Sequence, residues 1–68
     1  MRLTKTDAER LAIVECDRRG WKWRTPIEVK EGADYWEFVT GADTLGGNVV
    51  VRINAASGEV ERAVFYNR

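Results

Sequence analysis

The sequence has no histidine, one cysteine and one proline among 68 residues, and its charges cancel, with 11 Lys and Arg against 11 Asp and Glu. Each shortage excludes something. Without histidine there is no Ser-His or Cys-His nucleophile pair, and an enzyme is not expected. A lone thiol, Cys16, permits no internal disulfide. The same two shortages leave zinc and its relatives without the several Cys or His ligands they need, so no metal and no cofactor is expected. Zero net charge argues against a general polyanion binder, whose footprint is a large positive excess. No stretch approaches the roughly 18 apolar residues of a membrane span. The opening MRLTKTDAER lacks the apolar centre of a signal peptide, and the expected location is the cytoplasm.

What remains is a small apolar domain. A hydrophobic content of 44% with three Trp argues against disorder. The length suits a single domain, 1–68, which buries only about 60% of the surface its unfolded chain exposes. That leaves no room for a deep catalytic cavity beside a full core. A partner would add the buried area that so short a chain lacks.

The stretch from Asn48 to the C-terminus organises the chain. Val49, Val51 and Ile53 alternate with Val50, Arg52 and Asn54, the period of a strand. Ala55-Ala56-Ser57-Gly58 forms the turn, with Gly58 free to take a positive φ. A loop of those residues sets Ile53 against Val60, Val51 against Arg62 and Val49 against Val64. Arg52 then faces Glu61, and Val50, Ala63 and Phe65 share their side with Arg52, Glu59 and Glu61.

Ahead of this hairpin, Thr4 followed by Asp7 marks a helix start, with Thr6 and Glu9 as a second capping register that leaves the first residue open, and Leu3 with Ala8 stands at the positions of a hydrophobic staple. Ala8, Leu11, Ala12, Glu15 and Cys16 keep helical spacing, and Gly20 suits the residue past the end, so the helix is predicted over about 5–19. Residues 21–26 connect. Ile27-Glu28-Val29-Lys30 reads as a short edge strand, residues 31–34 as a turn, residues 35–40 as a strong strand and residues 41–47 as a loop. The predicted fold is α+β: one N-terminal helix packed on an antiparallel four-stranded meander, with three strands as the smaller alternative. One sheet face is left open.

The run LTKTDAERLA, the segment Tyr35-Trp36-Glu37-Phe38-Val39 and the hairpin VVVRINAASGEV resemble the PepSY domain family. Its hairpin pattern is matched by Val51 to Val60, with Asn54 where an Asp is usual. The Trp36 strand, Gly46-Gly47 and the Gly-Glu-Val turn also resemble the C-terminal half of small NTF2-fold immunity proteins. The PepSY resemblance implies a short helix before an antiparallel sheet. It also implies a non-catalytic role in binding or restraining another protein.

Two regions are candidates for contact. Trp21 and Trp23 lie among Arg18, Arg19, Lys22 and Arg24, and aromatics interleaved with cations stack on bases and hold phosphates. The alternative reading has the rings capping the core and the cations at a helix end. The second region is the open sheet face with Val50, Arg52 and Phe65, either a partner interface or a solvated surface. The candidate contact residues are therefore Trp21, Trp23, Arg24, Val50, Arg52 and Phe65. The expected partner is another protein or a second copy of this chain, rather than a membrane or, as the alternative reading would have it, nucleic acid. Glu28, Glu31, Asp34 and Glu37 read as solvated turn charges, Cys16 as a small core residue and residues 41–47 as a flexible turn.

Overall fold

Helix α1 (Lys5–Arg18) starts where Thr4 stops being helical: its backbone is extended and its side-chain oxygen accepts the Asp7 amide at 3.1 Å. This satisfies one of the free amides of the first turn. At the other end Trp21 N–H donates to the Cys16 carbonyl and Gly20 N–H to the Asp17 carbonyl, both at 3.0 Å. These are the two bonds of a Schellman motif, and Gly20 takes the φ of +78° that the motif uses. A computed structural model describes residues 2–44 and 46–66 of the chain. Leu45, inside the expected loop, and Asn67 and Arg68, at the end of the expected hairpin, lie outside the described residues, as does Met1.

Four strands follow the helix: β1 (Glu28–Glu31), β2 (Tyr35–Val39), β3 (Asn48–Asn54) and β4 (Val60–Tyr66). They form one antiparallel sheet in the order β1-β2-β3-β4, so the fold is α+β with a four-stranded meander. Short connections make this order the natural one. The edges differ: β1 is four residues, Glu-Val-Lys-Glu, whereas β4 is seven residues with an apolar second half. The described residues include no helix long and apolar enough to cross a membrane.

The helix covers one face. Ala8, Ala12 and Cys16 are sealed against Phe38, Val49, Val51 and Ile53. The small helical residues let α1 lie close to the sheet, and Leu3, Trp21, Trp23, Ile27, Val29 and Trp36 ring this core. The Trp36 indole donates to the Leu3 carbonyl at 3.0 Å, tying the entry of the helix to β2.

The register of β3 on β4 begins as expected, with Ile53 opposite Val60. A bulge then shifts it by one: Arg52 faces Arg62, Val51 faces Ala63, Val50 faces Val64 and Val49 faces Phe65. Ala63 and Phe65 therefore belong to the helix-covered side, not to the open face with Val50 and Arg52. The expected pairing of Arg52 with Glu61 is also absent. Arg52 instead reaches Glu37 on β2, Nη2 to Oε1 at 2.9 Å, while Glu61 accepts from Asn54 at 2.7 Å. An extra residue on one strand of a pair has this effect, because everything beyond it changes sides.

Candidate functional site

The end of the molecule where α1 stops gathers half of the expected contact residues. Beyond the Schellman turn the chain crosses the end of the sheet, held by Gly41 N–H to the Arg24 carbonyl at 2.7 Å and Ala42 N–H to the Pro26 carbonyl at 3.0 Å. The described residues at the base of the opposing loop carry side-chain hydrogen bonds of their own. The Asn48 amide donates to the carbonyls of Thr40 and Gly41, both at 2.8 Å, and Thr40 Oγ accepts the Val49 amide at 2.9 Å. A side chain just past the loop supplies bonds that the loop backbone lacks.

On this scaffold the two tryptophans part. Trp23 turns to the core and meets Phe38 with ring centres 6.2 Å apart. Trp21 stacks on Phe65 at 5.7 Å and 25°, near the offset geometry that aromatic pairs favour. The Arg19 guanidinium covers Trp21 at 5.3 Å. Beside the stack lies a half-open pocket of about 230 Å³ lined by Gly20, Trp21, Lys22, Arg24, Gly47 and Phe65. Gly47 admits Arg24: a Cβ there would stand 2.7 Å from the guanidinium. The bulge is what allows the stack, since it turns Phe65 to the side from which Trp21 approaches.

The charges at this end are not equivalent. Arg18 and Arg19 both bond the carboxylate of Glu15, and these bonds hold its pKa below the usual carboxylate range, Arg18 contributing most. Lys22 and Arg24 make no ion pair among the described residues. The pocket therefore offers an apolar aromatic wall and two cations that are uncommitted among the described residues.

Val50 and Arg52 lie elsewhere, on the open face. Val39, Val50 and Val64 form a row across it, and Val50 is buried by its neighbours. Arg52 is committed to Glu37 and sits over the Tyr35 ring at 4.1 Å. Its pKa is raised, first by the bond to Glu37. Trp21, Arg24 and Phe65 are thus brought together, while Trp23, Val50 and Arg52 are not part of that cluster. The sequence lists Lys22 only as one of several cations. Its distinction from Arg18 and Arg19 depends on where Glu15 sits.

The described residues hold no group of three or more Cys, Asp or Glu placed to bind a metal ion. The buried Cys16 thiol has its pKa pushed up by burial. No protein family, no curated protein and no solved structure matches the chain.

Proposed function

We propose that the chain is a non-enzymatic protein-binding module, and that its contact end is the pocket of Trp21, Lys22, Arg24 and Phe65. The observation that carries this reading is the placement of two cations, neither in an ion pair among the described residues, beside a stacked aromatic pair in one concave site. Aromatic and Arg side chains are the groups that dominate protein interfaces. A partner fitting the site presents an apolar side chain next to a carboxylate. Inhibition of that partner is the natural consequence if the carboxylate belongs to its own active surface.

The alternative of nucleic-acid binding is weakened by Glu15. Its carboxylate offsets part of the charge of Arg18 and Arg19, which stay exposed, and so lowers the positive excess of a segment where a single strand needs a charged track spanning several nucleotides.

The test is affinity capture with the wild-type chain and a Lys22→Glu, Arg24→Glu variant, each with and without nuclease. Both substitutions fall on exposed positions and spare the core. One protein recovered by the wild type, lost in the variant and indifferent to nuclease supports the module. Recovery abolished by nuclease, with binding that falls steeply as salt rises, replaces it with the nucleic-acid reading.

A further inference from the structure

Among the described residues the outer edge of β4 has no strand beside it, and the flank of α1 above that edge has a pattern that matches itself. Ala8, Ala12, Glu15 and Cys16 define the stripe of α1 that faces the sheet. At about 100° per residue, Asp7, Leu11, Val14 and Arg18 all fall on one flank of that stripe. Leu11 shows which flank it is. A Cβ on Gly58, in the turn that leads into β4, would lie 3.2 Å from Leu11 Cδ1. The flank is therefore the β4 side, and it is uncovered: Leu11 is 38% and Val14 62% exposed. The Arg18 side chain remains 68% exposed although it bonds Glu15.

Asp7 and Arg18 are centred on the boundary between Ala12 and Ile13, and so are Leu11 and Val14. A two-fold axis through that point lays Asp7 of one copy against Arg18 of the other, twice, with Leu11 against Val14 between them. The same rotation sets β4 antiparallel to its own copy.

We infer that this chain forms a two-fold dimer through the β4 edge and the Asp7, Leu11, Val14, Arg18 flank of α1. The occupant of the edge is a second copy, because a pattern that is complementary to its own rotated image is what an isologous interface requires. The two sheets become one continuous sheet with both helices on the same side. The unpaired backbone groups of β4 gain partners, and a chain too short for a large core gains buried apolar area. This inference does not depend on the pocket of Trp21 and Arg24.

Sedimentation velocity on the full chain, up to millimolar concentration, tests it. The wild type associates to a dimer. Val14→Glu, at an exposed position, weakens that association at least tenfold. Asp7→Arg and Arg18→Asp each abolish it alone, and mixing the two restores a dimer, since each supplies the charge the other has lost. Circular dichroism confirms that every variant is folded. A wild type that stays monomeric throughout overturns the inference. So does a dimer that persists in Val14→Glu or that the mixture fails to restore.

Discussion

The Glu15 carboxylate is clasped by Arg18 one helical turn on, with Arg18 Nη2 donating to Oε1 at 2.7 Å and to Oε2 at 2.9 Å. Arg19 adds a further bond, and the carboxylate side chain is only 7% exposed. The lowered pKa of Glu15 fixes the sign of a pH effect. Folded, this group titrates below its unfolded value. Its contribution to stability is therefore complete above the unfolded value and is lost as pH falls through the folded one. Melting temperature followed by circular dichroism from neutral pH into acid will fall less steeply in Glu15→Gln than in the wild type. Equal slopes would mean that the clasp does not persist in solution.

Thr4→Ala removes the oxygen that accepts the Asp7 amide. The expected loss is about 1 kcal/mol, or about 4–8 °C in melting temperature for a domain of this size. Thr6→Ala, two residues further in, will change stability much less. If the two variants lose equally, Thr4 is not the cap in solution.

Phe38 is fully buried and lies at the centre of the covered face. Phe38→Ala is expected to cost about 3–5 kcal/mol, which rivals the entire stability of a single small core. Urea titration should find this variant largely unfolded in buffer. A cooperative transition close to that of the wild type would contradict the packing described for α1 on β2 and β3.

Gly58 has a φ of +81° and opposes Leu11. Gly58→Ala meets two obstacles: a left-handed backbone that costs an L-residue about 1–2 kcal/mol, and the methyl of Leu11. Combining it with Leu11→Ala relieves the second obstacle and leaves the first. Chemical denaturation of the single and double variants separates the two contributions.

Features written in neighbouring residues were legible before the structure. Thr4 with Asp7 located the helix start, Gly20 its end, and the alternation at Val49, Val51 and Ile53 identified the central strand. The four-strand order followed from the shortness of the connections. The bulge was not legible. Nothing in Val60-Glu61-Arg62 announces an extra residue, and the apparent match of Arg52 with Glu61 favoured the register without it. That one residue moved Ala63 and Phe65 to the other side of the sheet. The pocket was hidden for a related reason. Trp21 meets Phe65 and Arg52 meets Glu37 across separations in sequence that only the folded sheet closes. Cation identity was likewise unreadable locally, because Arg18, Arg19, Lys22 and Arg24 look alike until Glu15 selects two of them.

The unequal edges of the sheet bear on how far association can run. A sheet with two inviting edges is a template for polymers, since each added chain presents a fresh edge for the next. Here β1 is short and three of its four residues are charged, which makes it a poor acceptor, while β4 is long and partly apolar. Two chains joined through β4 present only β1 at both ends. In such a dimer growth would stop after a single addition.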